Sequence, residues 1–128
     1  MAEHFGFTKL IVGDLEASAR FYKSVCGLTE QARVRSKVGG RPMNEILFNP
    51  AVPGGTTFVL LAFDDEPKPA ISELILGFIT TDIVAFVDRV GAAGGTIVDE
   101  LATRPEFGVK VAIVKDPEGH LIEIVQTI

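Results

Sequence analysis

The sequence predicts an α+β fold in which two βαβββ modules pair into a curved mixed sheet with a central cleft. Three observations carry this prediction. A strand that turns straight into an amphipathic helix occurs twice, from Thr8 to Leu28 and again from Gly77 to Gly95. Each copy is followed by three segments patterned as strands and separated by turn residues. At 128 residues, each half is near the size at which a lone core is marginal, so the halves are expected to need each other.

Taken in order, residues 5–12 form the first strand, with Phe5, Phe7, Lys9 and Ile11 on one face and Gly6, Thr8 and Leu10 on the other. Asp14 stands where an N-cap carboxylate would accept orphan N–H groups, opening a helix over 15–26. Leu15, Ala19, Tyr22 and Val25 make its apolar stripe, and Gly27 can take the left-handed conformation that ends it. Residues 29–38 alternate Arg33, Arg35 and Lys37 against Ala32, Val34 and Val38, the pattern of a half-buried strand. Gly39-Gly40 marks a hairpin, Met43 to Phe48 the returning strand, residues 49–55 a turn and Thr57 to Phe63 a fourth strand.

The first module spans about 1–64. A charged, proline-containing linker follows at about 65–72, and the second module covers about 73–128. Glu73 to Ile79 reads as a strand and 83–93 as a helix behind Asp82, with Gly95 matched to Gly27. Thr96 to Val98 is then a short strand and 102–108 a loop containing Pro105. Lys110 to Val114 and Leu121 to Gln126 are the last strands, joined by the turn Asp116-Pro117-Glu118-Gly119.

Composition narrows the function classes. The chain is 47% hydrophobic and 23% charged, which is ordinary for a globular protein, and no apolar run reaches the ~18–20 residues a spanning helix needs. Met1-Ala2-Glu3-His4 carries no basic segment leading into an apolar run, so no secretory signal is expected. The lone Cys26 cannot form an internal disulfide, which fits a reducing cytoplasm, and it reads as a small buried hydrophobe. A net charge of −5 argues against nucleic-acid and anionic-membrane partners.

Asp14-Leu15, Phe21-Tyr22 and Gly27-Leu28, the module repeat, and the ending Asp116-Pro117-Glu118-Gly119-His120-Leu121-Ile122-Glu123-Ile124 together resemble the vicinal-oxygen-chelate (VOC) superfamily. That group includes glyoxalases (lactoylglutathione lyases), bleomycin-resistance proteins, extradiol dioxygenases and methylmalonyl-CoA epimerase, and the resemblance covers essentially the whole chain. It implies the glyoxalase/bleomycin resistance/dioxygenase fold, a single domain over 1–128, and a homodimer. Fold alone does not fix the activity.

Enzymes of this superfamily hold a divalent metal with one residue from the first and one from the last strand of each module, usually His and Glu. Carried over by position, these fall on Phe7, about Leu60, about Ile75 and Glu123, of which only Glu123 is a ligating side chain. His4 and His120 alternate away from the relevant faces of their strands. A divalent site needs three or more fixed protein ligands, so no metal cofactor is expected.

Glu123, on the face of Leu121 and Val125, is a candidate general base or acceptor for a bound ligand; the plainer reading is a carboxylate paired with a cation such as Lys9, or wetted at a cleft mouth. Glu45, mid-strand, lines the cleft or faces solvent. Arg33, Arg35, Lys37 and Arg41 either hold an anion or form the wet face of a strand. Phe7, Phe58, Leu60, Ile75 and Phe107 would give an apolar, partly aromatic cleft. The expectation is a cytoplasmic, metal-independent protein that binds a small apolar or aromatic compound, and resemblance to the bleomycin-resistance branch implies sequestration rather than turnover. The enzyme alternative is a glyoxalase-type lyase, isomerase or dioxygenase using a divalent metal, or a metal-free catalyst with Glu123 as base.

Overall fold

The computed structural model describes residues 5–65 and 74–128. Its elements are β1 (Phe7–Ile11), α1 (Leu15–Cys26), β2 (Glu30–Val38), β3 (Arg41–Phe48), β4 (Thr57–Phe63), β5 (Ile75–Ile79), α2 (Ile83–Ala92), β6 (Thr96–Arg104), a 3-10 turn (Pro105–Phe107), β7 (Val109–Lys115) and β8 (Leu121–Thr127). They form two compact units, the first holding β1–β4 and α1 as far as Lys23, the second β5–β8 and α2, with Ser24–Cys26 belonging to the second. Each is a four-stranded mixed sheet, ordered β1-β4-β3-β2 and β5-β8-β7-β6. The β-α-β-β-β repeat is therefore present, and the fold is α+β as the sequence predicts.

In the first unit β1 runs parallel to β4, so the crossover between them carries α1 onto one face. Asp14 caps the helix, its Oδ1 accepting the Ala17 N–H at 3.0 Å. Gly27 ends it with φ 68°, the left-handed conformation that lets the Gly27 and Leu28 N–H groups return to Lys23 and Tyr22 carbonyls. Beneath the helix lie Leu10, Ile46, Phe48 and Leu60, all 2% exposed or less, and Tyr22 from the helix itself. Phe58 joins this layer, its ring 5.1 Å from Tyr22 and 6.1 Å from Phe48. Burying each such side chain contributes about 1.5–3 kcal/mol.

The second unit repeats the plan. Asp82 Oδ1 accepts the Ala85 N–H, and Gln126 Oε1 on β8 accepts the Ile83 N–H at 2.8 Å, tying the start of α2 to the sheet. Ile83, Phe86 and Val90 of α2 are buried, as are Ile122 and Ile124 of β8.

Three expectations from the sequence are corrected. The left-handed glycine after α2 is Gly94 (φ 88°), not Gly95. Gly95 is required for a different reason, since a Cβ there would stand 2.6 Å from the Lys115 carbonyl oxygen and from Val90. The segment read as a short strand and a loop is one strand, β6, running to Arg104; its register against β7 shifts around Asp99, and such bulges destroy the alternation by which a strand is recognised. β2 is exposed over nearly its whole length rather than half-buried. Its arginines are held by carboxylates: Arg33 by Glu16 and Glu30, Arg35 by Asp64. Arg41, at the start of β3, pairs with Asp65. The linker beyond Asp65, and His4, lie outside the described residues.

Candidate functional site

Strand parity decides which predicted site residues face away from the helices. In the first unit Leu10 and Leu60 are register partners on the helix face, so Lys9 and Val59 are partners on the other. Leu61 is opposite Glu45 and Phe63 opposite Met43 on that same face. The helix-averse side therefore carries Phe7 (58% exposed), Lys9 and Ile11 from β1, a floor of Val59 and Leu61 from β4, and Glu45 from β3. Phe58 and Leu60, expected in the cleft, belong instead to the core under α1. A one-residue offset in β4 exchanges every side chain between faces, and the position matching Glu123 is Val59.

Lys9 and Glu45 meet on this face. Lys9 Nζ donates to Glu45 Oε2 at 2.9 Å, reaching from β1 across β4 to β3. Glu45 is only 7% exposed, whereas the Lys9 side chain is 35% exposed. A carboxylate among Met43 and Leu61 would be expensive to desolvate alone, and the ammonium compensates it. The ammonium also stands 5.7 Å from the centre of the Phe7 ring, within reach of its negative face. Lys9, considered from the sequence as a partner for Glu123, thus serves Glu45.

In the second unit Glu123 lies half-buried on the helix-averse face of β8 with Leu121 and Val125. Its register partners are Gly77 on β5 and Ile113 on β7. A Cβ placed on Gly77 would meet nothing within 4 Å, so Glu123 borders open space on that side. Ile75 is 57% exposed on the same strand as Gly77, and Phe107, in the 3-10 turn, is 77% exposed. The strand neighbours of Glu123 supply no second carboxylate, imidazole or thiolate.

Two surface cavities are found, and Glu45 borders the first of them. One, of about 420 Å³, is bordered by Leu15, Glu16, Arg33, Arg35, Asn44 and Glu45 near the start of α1. The other, of about 410 Å³, lies along the bulged part of β6 with Asp99, Glu100 and Arg104. The guanidinium groups of the first are already occupied by Glu16, Glu30 and Asp64. Cys26 offers no nucleophile: burial pushes its thiol up to about 12, so it stays protonated at neutral pH. His120 is engaged by Asp116, Nδ1 to Oδ2 at 2.7 Å.

The divalent metal implied by the superfamily resemblance can be tested against these residues. No three His, Cys, Asp or Glu side chains among the described residues gather as a metal would require. The positions that match the superfamily's metal ligands are Phe7 and Val59 in the first unit and Ile75 and Glu123 in the second, one donor against three hydrocarbon side chains. An ammonium beside Phe7 adds a positive charge where a dication would have to approach. The donor set does not fit a family-type metal site.

Comparison with known proteins agrees with this architecture. The family model described as Glyoxalase/Bleomycin resistance protein/Dioxygenase superfamily matches residues 3–124. A protein named probable lactoylglutathione lyase from Vibrio parahaemolyticus is 28% identical, the match covering 93% of this chain and 87% of that one. Among solved structures, a glyoxalase family protein from Bacillus cereus superposes with a TM-score of 0.83 at 19% identity, covering 100% of this chain and 99% of the other. A glyoxalase I variant from Zea mays superposes at 0.73 and 23% identity, covering 94% of this chain but 45% of that longer protein. The likeness to these two structures is a likeness of fold. With a family model spanning nearly its whole length over two βαβββ units, the chain belongs to the Glyoxalase/Bleomycin resistance protein/Dioxygenase superfamily.

Proposed function

We propose that this chain, acting as one domain over 1–128, is a metal-independent binding protein for a small aromatic or otherwise apolar compound. The observation that carries the reading is the Lys9–Glu45 ion pair, set on an apolar floor beside an exposed phenylalanine where the superfamily would require metal donors. Phe7 and Ile11 offer ring and hydrocarbon contact, and Val59 and Leu61 close the base. Lys9 and Glu45 supply the few polar groups that orient a ligand in a mostly apolar site. Glu123 and Ile75 form the corresponding face of the second unit, where Glu123 would accept a hydrogen bond from a ligand. A homodimer belongs to the same proposal, on family grounds.

A second reading is favoured by the names of the curated relatives, which describe probable lactoylglutathione lyases. It would make the chain a metal-dependent lyase, and the donor set opposes it. One preparation separates the two. Protein purified without chelator is analysed for Ni, Zn, Mn and Fe, and then screened by thermal shift against aromatic metabolites and antibiotics. The binding reading expects far less than one metal per chain and a ligand-dependent rise in melting temperature. A full equivalent of metal, with lactoylglutathione lyase activity, would overturn it.

A further inference from the structure

The Lys9–Glu45 pair also constrains the polar group its ligand carries. Resting on the binding proposal above, we infer that the compound taken at Phe7, Lys9 and Glu45 is an uncharged aromatic bearing a hydrogen-bond donor next to an acceptor, such as a carboxamide or lactam, rather than an aromatic anion or cation. The pair is neutral as a whole. Lys9 has three N–H donors and uses one on Glu45 Oε2, leaving two on a side chain that is 35% exposed. No fully enclosed side-chain oxygen of the described residues lacks a partner, so Oε1 of Glu45, outside the bond through Oε2, is not wholly enclosed. An approaching group therefore meets donors and an acceptor side by side, above Val59 and Leu61.

A carboxamide satisfies both at once, its oxygen accepting from Lys9 and its N–H donating to Glu45, without parting them. A carboxylate brought to the same ammonium would lie within a few ångströms of the Glu45 carboxylate and be repelled by it. An ammonium meets the mirror-image difficulty at Lys9. The ring in each case rests against Phe7, which is 58% exposed, and Ile11, which is 40% exposed.

The test uses benzamide, benzoate and benzylamine as matched probes, titrated into ¹⁵N-labelled protein and followed through the amide resonances of residues 7–11, 45 and 59–61. Benzamide is expected to bind about fivefold or more tightly than either charged probe. In Glu45→Gln the pair becomes net positive, and the preference should invert toward benzoate. In the double variant Lys9→Met/Glu45→Met, discrimination among the three should disappear. Benzoate binding as well as benzamide to the unaltered protein would overturn this inference and leave the binding proposal standing. If none of the probes moves these resonances, this inference falls, and the thermal-shift screen still decides the binding proposal.

Discussion

Asp116 Oδ2 stands 2.7 Å from His120 Nδ1, and its other oxygen accepts the backbone N–H groups of Glu118 and His120 at 3.0 and 2.9 Å. One carboxylate, 4% exposed, therefore fixes the whole reversal between β7 and β8. Gly119, at φ 97°, supplies the left-handed step that the other residues of the turn would resist. β8 is the strand that carries Glu123, so the accuracy of this turn sets the position of the second unit's candidate acceptor.

Removing that carboxylate should be costly. Asp116→Ala leaves two backbone N–H groups and an imidazole without their acceptor, and is expected to destabilise by about 2–3 kcal/mol. Asp116→Asn keeps one oxygen for the N–H groups and should lose about 1 kcal/mol. Urea unfolding followed by circular dichroism measures both; no loss in Asp116→Asn would show that the second oxygen and His120 contribute nothing, and losses equal to those of Asp116→Ala would show the same of the oxygen that holds the N–H groups.

The division between core and open face is checked by a pair of substitutions. Leu60, fully buried under α1, should lose about 2–5 kcal/mol on conversion to alanine. Phe7→Ala, on the open face, should cost about 0.5 kcal/mol or less while weakening ligand binding. A large stability loss at Phe7 would mean that the ring is a structural element rather than a recognition surface.

That same pair shows where the sequence is legible. The caps Asp14, Asp82 and Gly27 and the stripe of α1 announce themselves through local chemistry, and the strand order of each module follows from the repeat. What cannot be read is the phase of β4. Thr57 to Phe63 is apolar on both faces, because one packs on α1 and the other floors the open side, so nothing in Phe58-Val59-Leu60-Leu61 says which points where. Glu45 is ambiguous for a related reason: a buried acid is explained only by its partner, and Lys9 lies 36 residues away. The bulges of β6 hide a strand because its remaining signal is alternation, and two register shifts erase it.

Acid titration should expose the network joining α1 to β2. Hydrogen bonds from Arg33 and then Lys23 hold the Glu30 carboxyl down at about 2, from an ordinary value of 4.5. A depressed carboxyl contributes stability above its unfolded value and loses it as pH falls toward the folded one. The stability gap between the native chain and Glu30→Gln should therefore be small but constant above about pH 5, shrink between 4.5 and 2, and vanish below. Urea midpoints at pH 7, 3.5 and 2 follow it, and 1 M salt should narrow the gap at pH 7. A gap that persists unchanged at pH 2 would assign the effect to packing instead.

The Lys9–Glu45 pair yields the sharpest comparison, because its two members are unequally buried. Lys9→Met strips the compensating charge from a carboxylate that is 7% exposed, and should cost about 1–3 kcal/mol. Glu45→Met releases a lysine that can simply extend into water, and replaces a buried charge with a side chain suited to its surroundings of Met43 and Leu61. It should be close to neutral, or stabilising by about 1 kcal/mol. The double variant should recover most of what Lys9→Met loses, giving a coupling of roughly 1 kcal/mol or more in a double-mutant cycle, the range seen for residues that touch. A pair kept for stability would behave differently, with both single changes harmful and the double no better than either. The expected asymmetry would mean that Glu45 is retained at a net loss to folding, as a residue kept for recognition would be. Strict additivity, with no coupling beyond error, would dissolve the pair as a functional unit and with it the polar half of the proposed site.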